Sequence, residues 1–139
     1  MISRREKIAL VAREWVGTPY RHQASKKNIG CDCLGLLRGV WREIVGLEPM
    51  EIPPYSASWR DRENIGALEK AADRFLGKTG ELPQVGDVVL FKMIRGLPPK
   101  HCAIMVEGDV FVHAQEHIGV VEVSLSDAWA GRIAGVYRM

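Results

Sequence analysis

The chain has 139 residues, 47% of them hydrophobic, with charges that nearly balance at a formal +2. That length, with no break in composition, fits one globular domain over residues 1–139, and the interspersed Lys, Arg, Asp and Glu argue against a nucleic-acid partner. Cys31, Cys33 and Cys102 are too few and too unevenly placed for a disulfide framework, the start lacks the apolar core of a signal peptide, and no stretch predicts a membrane span.

Ser3 followed by Glu6 makes a capping box, after which Ile8, Val11, Ala12, Trp15 and Val16 share a helical face that ends at Gly17 and Pro19. A loop from Thr18 to Gly30 leads to a second helix. Asp32 is its expected N-cap, Cys33 lies in its first turn, and Leu36, Leu37, Val40, Trp41, Ile44 and Val45 form its apolar face up to Gly46. Gly35 and Gly39 sit one turn apart inside it, each costing about 1 kcal/mol relative to Ala, which implies that something packs very close. The proline-bearing stretch from Gly46 to Ser58 reads as loop. Ile65, Leu68, Ala71, Ala72, Phe75 and Leu76 mark a third helix, and Gly77 to Pro83 closes the helical half.

From Val85 the period changes to short β-branched runs: Val88–Met93, Cys102–Val106, Val110–Ala114, Val120–Val123 and Ile133–Tyr137. Helices followed by about five antiparallel strands is the segregated α+β pattern, with the helices covering one sheet face.

A nucleophilic cysteine must be a thiolate, and a helix N-terminus lowers a thiol pKa. Cys33 has that position. His101 begins one strand and His113 ends the next, so their meeting depends on the register of the hairpin between them. A two-residue Gly108-Asp109 loop pairs Ile104 with His113 and turns His101 to the opposite face. A three-residue loop, Val106-Glu107-Gly108, pairs Met105 with Asp109 and His101 with His113, and it is preferred because it brings the imidazoles together. Cys102 alternates away from His101 and reads as packing; Cys31 reads as a loop thiol near the cleft or a resolving cysteine, with a functional role disfavoured because reactivity needs a helix terminus or a cation nearby; His117 reads as a solvated turn residue. A structural zinc site on Cys31, Cys33, His101 and Cys102 is disfavoured, because Cys31-x-Cys33 is shorter than the usual knuckle and successive strand residues diverge. No cofactor is expected.

Asp32-Cys33-x-Gly35-Leu36, then Gly86-Asp87-Val88, His101-x-Ala103-Ile104 and His113-Ala114, preceded by Gly17-Thr18-Pro19-Tyr20, resemble the NlpC family of papain-like bacterial cell-wall cysteine peptidases. The resemblance runs over essentially the whole chain and is nearest to the short versions associated with phage and gene-transfer-agent tails. It implies Cys33 as nucleophile, His101 as general base and acid, His113 as polar third member, and Tyr20 as an oxyanion donor. Asp32, and His22 close after Tyr20, are the candidate substrate contacts. The implied substrate is the peptidoglycan stem peptide, cut between γ-D-glutamate and the diamino acid. Leu34 stands where most members carry Ser. The implied setting is the cell wall or periplasm, reached from the cytoplasm on a virion-like tail or at lysis, with tail or baseplate proteins as partners. Two other readings are an acyltransferase or amidase on the same core, and a tail structural or binding module with little turnover.

Overall fold

In the computed structural model, which describes residues 1–55 and 65–139, the Ser3 hydroxyl accepts a hydrogen bond from the Glu6 backbone N–H (3.1 Å) and opens α1 (Arg4–Arg13). The chain leaves through Gly17 at φ +94°. The expected loop from Thr18 holds a small antiparallel pair, β1 (Ser25–Lys26) with β2 (Gly30–Cys31), too short to leave a periodic signal. Asp32 then caps α2 (Cys33–Ile44), accepting the Gly35 N–H at 2.7 Å.

The two helical glycines are explained by what lies against them. A Cβ on Gly35 would stand 1.8 Å from the Ala24 carbonyl oxygen, and one on Gly39 would stand 2.0 Å from the Trp15 ring. The approach of α2 to the segment before β1 and to the end of α1 therefore requires both. Residues 46–55 follow the expected loop, whereas its last part, 56–58, lies outside the described residues. The third helix is α3 (Ala67–Phe75).

The sheet has six strands rather than about five: β3 (Gly77–Thr79), β4 (Val88–Phe91), β5 (His101–Glu107), β6 (Val110–Gln115), β7 (Gly119–Ser124) and β8 (Ile133–Arg138), in the order β3-β8-β4-β5-β6-β7. All neighbours are antiparallel. The extra strand, β3, falls where the sequence suggests only the close of the helical half; it forms because β8 returns between it and β4, setting Lys78 against Tyr137. A short helix, α4 (Asp127–Ala130), precedes β8 and was not expected.

The helices cover one sheet face. Ile8, Ala12, Leu36 and Val40 pack there with Leu90, Cys102, Ile104, Val112 and Val120. Val89, Phe91, Ala103, Met105 and Phe111 point to the other face, beneath Leu125, Trp129 and Ile133. Burial on both faces is why β4 reads as an unbroken apolar run. Among the described residues no helix is long and apolar enough to cross a membrane.

The β5–β6 hairpin departs from the preferred register. Glu107 pairs with Val110, so the loop is the two-residue Gly108-Asp109 turn, but Met105 pairs with Phe111 and Ile104 with Val112. Val106 is an extra residue between those pairs, a β-bulge. Met105 therefore does not face Asp109, nor His101 His113. Continued one step, the pairing sets His113 opposite Ala103, which shares a face with His101. The bulge undoes the change of face that a plain two-residue turn would impose, and the histidines become diagonal neighbours.

Candidate active site

Cys33 is the first residue of α2, and its Sγ lies 3.9 Å from the Lys100 carbonyl oxygen just before β5. Three devices act on its thiol. The helix N-terminus presents partial positive charge, while the Cys102 thiol and the His101 imidazole both interact with the sulfur and, against the opposing effect of burial, hold it well below the ordinary thiol range. Cys102 donates to the Cys33 carbonyl oxygen at 3.2 Å, and its own thiol is pushed well above the usual range by Cys33 and by burial. Cys31 is fully buried and is pushed up to about 12, chiefly by burial.

His101 Nε2 lies 2.7 Å from His113 Nδ1, with the rings nearly perpendicular at 82°. That contact occupies Nε2 of His101 and leaves Nδ1 as the ring nitrogen available to Cys33. His113 is 3% exposed, and burial, then the neighbouring His101, lowers its pKa to about 4. Its Nε2 has no hydrogen-bond partner among the described residues. Trp129, which the sequence reading missed, explains much of this dryness. Its ring lies 5.5 Å from that of His113, 6.1 Å from that of His101 and 4.9 Å from that of Phe91. It is carried on α4, whose Ser126 caps it by accepting the Trp129 N–H; Ser126 followed by Asp127 is the local signal that could have revealed the helix.

Tyr20 reaches the same place through backbone pairing. Gly17 N–H donates to the Val120 carbonyl, Val120 N–H to the Thr18 carbonyl, and Cys31 N–H to the Pro19 carbonyl, which clamps Gly17-Thr18-Pro19-Tyr20 between β7 and β2. Burial, then the negative charge available at Cys33, raises the Tyr20 pKa, so the phenol keeps its proton and remains a donor. Tyr20, Cys33, His101, His113 and Trp129 line one groove of about 390 Å³, with Lys100 and Glu116 among its other walls.

Asp32 and His22 are not among the residues lining that groove. Asp32 is 2% exposed and turned inward: one carboxylate oxygen accepts the Gly35 N–H, and the other accepts the Gln23 N–H (2.7 Å) and the Tyr55 hydroxyl. His22 lies beside it, with Nε2 2.8 Å from the Tyr55 carbonyl oxygen and Nδ1 3.8 Å from Asp32. This cluster anchors the start of α2 from behind. His117 is exposed in a turn at φ +68°. Among the described residues no three His, Cys, Asp or Glu side chains stand so as to share a metal ion, so Cys31, Cys33, His101 and Cys102 do not converge as ligands.

A cysteine at a helix N-terminus, packed against an antiparallel sheet that carries paired histidines, defines a papain-like α+β domain. The NlpC/P60 family model matches residues 17–138, and the chain belongs to that family. It is 31% identical over 116 residues to the Escherichia coli K12 protein named murein DD-endopeptidase MepS/murein LD-carboxypeptidase, covering 84% of this chain and 52% of that one. It is 30% identical over 125 residues to a probable endopeptidase NlpC homolog of Haemophilus influenzae, covering 90% of this chain and 57% of the other. The chain thus spans little more than half the length of these relatives. The NlpC/p60 domain of the peptidoglycan hydrolase SagA superposes with a TM-score of 0.65 at 22% identity, over 99% of this chain and all of that domain. A Bacillus cereus NlpC/P60 family protein superposes with a TM-score of 0.68 at 20% identity, over 96% of this chain and 39% of the other. At such identities these structures speak to the fold.

Proposed function

We propose that this domain is a cysteine peptidase that hydrolyses the γ-D-glutamyl–diamino acid bond of peptidoglycan stem peptides through a Cys33 thioester. The observation that carries the reading is the shared groove: Cys33 at the start of α2, beside a His101 whose far nitrogen is held by His113 at 2.7 Å. Membership of the NlpC/P60 family and the names of its curated relatives support the substrate class.

The proposed chemistry begins with proton transfer from Cys33 to Nδ1 of His101, giving a thiolate and an imidazolium. His101 Nε2–H then donates to Nδ1 of His113, which requires a neutral His113 carrying its own proton on Nε2. Burial supplies that state, because a His113 titrating near 4 is uncharged through the neutral range. The thiolate attacks the amide carbon, and the oxyanion is received by the Cys33 backbone N–H and the Tyr20 hydroxyl. His101 returns the proton to the leaving amine, then activates the water that hydrolyses the thioester. In this scheme Asp32 contributes by holding the first turn of α2, and Trp129 by excluding water from the imidazole pair.

A second bond is favoured by a specific observation: the Escherichia coli relative is named for DD-endopeptidase activity, which points to cross-links between stems. Mass analysis of defined stem peptides and cross-linked dimers, incubated with wild-type protein and with Cys33→Ala, tests both bonds. Cleavage after D-glutamate that vanishes in the variant is the expected result. Cleavage of the cross-link alone moves the proposal to the second bond, and a folded wild-type protein that cuts neither overturns hydrolysis and directs attention to acyl transfer or a binding role. Delivery on a phage-like tail rests on the sequence resemblance, and absence of the protein from purified particles would count against it.

A further inference from the structure

The proposed reaction uses one thiol, yet a second is built against it. Cys102 follows His101 on β5 but points to the helix side, where it is 1% exposed and its Sγ reaches the Cys33 carbonyl oxygen at 3.2 Å. Each of the two thiols is also the leading influence on the other's proton affinity. A disulfide needs Cα atoms roughly 4.4–6.8 Å apart, and a side chain already in contact with its partner's backbone is compatible with that span. Cys31, next but one to Cys33 in sequence, feels Cys33 only as a nearby charge.

We propose that Cys33 and Cys102 form a peroxide-modified dithiol site, with Cys102 the resolving thiol. In the first step the Cys33 thiolate attacks one oxygen of hydrogen peroxide. The O–O bond breaks, hydroxide leaves and is protonated to water, and Cys33 becomes a sulfenic acid, two electrons having passed to the peroxide. In the second, Cys102 loses its proton and attacks the Cys33 sulfur. The S–O bond breaks, the departing hydroxide combines with that proton, and a disulfide remains. Two thiols and one peroxide give one disulfide and two waters.

The order of events is set by the charges. While Cys33 is a thiolate, it is the leading cause that keeps Cys102 protonated, so the pair does not compete for the nucleophile's role. Conversion of Cys33 to a neutral sulfenic acid removes that charge, so that burial is left as the main influence holding the Cys102 proton. The disulfide blocks the nucleophile without further loss, because the sulfinic and sulfonic acids that lie beyond sulfenic acid are not reversed by thiols.

The inference does not depend on the peptidase reading, and its test needs no substrate. The wild-type chain, Cys31→Ala and Cys102→Ala are treated with a several-fold molar excess of hydrogen peroxide, enough to supply the second and third oxidations of an unprotected thiol, then alkylated in denaturant and digested without reductant for mass analysis. Wild type and Cys31→Ala are expected to lose two free thiols, to yield a linked peptide containing Cys33 and Cys102, and to recover both thiols with dithiothreitol. Cys102→Ala is expected to give no linked peptide and to carry Cys33 on to acids that dithiothreitol does not reverse. Sulfinic or sulfonic acid at Cys33 in the wild type without the link, or a link from Cys33 to Cys31, overturns the proposal. Should Cys102→Ala fail to fold, the wild-type peptide map decides by itself.

Discussion

Two side chains at the site have roles that differ in what they should change. Tyr20 keeps its proton beside Cys33, and removal of a single oxyanion donor typically costs about 10²–10³ in kcat. Tyr20→Phe should therefore retain its circular dichroism and melting curve while losing that much turnover on a stem peptide; full activity would refute the role. His113 bears on stability instead. It titrates near 6.5 when unfolded and about 4 when folded, so between those values the unfolded chain binds more protons and stability falls as the pH falls. The difference amounts to about 3 kcal/mol at 1.36 kcal/mol per pKa unit. Urea unfolding should show the wild type losing about that much more than His113→Asn between pH 7 and pH 4, and parallel losses would show that burial does not hold His113 neutral.

At the scale of elements, the capped helices were legible because Ser3 and Asp32 accept the backbone N–H groups that their spacing announces. The close approach implied by Gly35 and Gly39 was legible too, though its partners, Ala24 and Trp15, were not. Gly39→Ala should lower the melting temperature: overpacking against the buried Trp15 ring costs about 1–3 kcal/mol, and the gain in helix propensity returns only about 1. Gly35→Ala meets backbone rather than a side chain, so it should also displace the Cys33 end of α2 and slow iodoacetamide alkylation of Cys33 in protein that remains folded. What the sequence disclosed least is what has no period. The β1–β2 pair and β3 are too short, α4 is a single turn around Trp129, and a bulge at Val106 alters register without altering composition. The preferred three-residue register was wrong for that reason, and the two-residue turn, which does form, lacked the bulge.

Across the whole molecule, the motif Gly86-Asp87-Val88 serves as a joint. Asp87 is buried and accepts from Arg5 of α1 at 2.9 Å and from the Gln84 N–H at 2.8 Å, while the Met105 N–H donates to its carbonyl oxygen beside the bulge. Asp87→Ala should cost about 2 kcal/mol in urea unfolding, within the range for hydrogen bonds to charged groups, because the partly exposed Arg5 regains water while Gln84 loses its acceptor. A cost near zero would mean that α1 is held by its apolar face alone. The bulge itself has a further consequence. Side chains alternate along a strand, so the extra residue works as a parity correction, and the hairpin is sensitive to length more than to chemistry. Deleting one residue from the paired stretch between His101 and His113 would turn one imidazole toward the helices and leave every member of the proposed catalytic set present but separated. Substitution at the hairpin tip should be tolerated far better, since a side chain at Gly108 would meet open space.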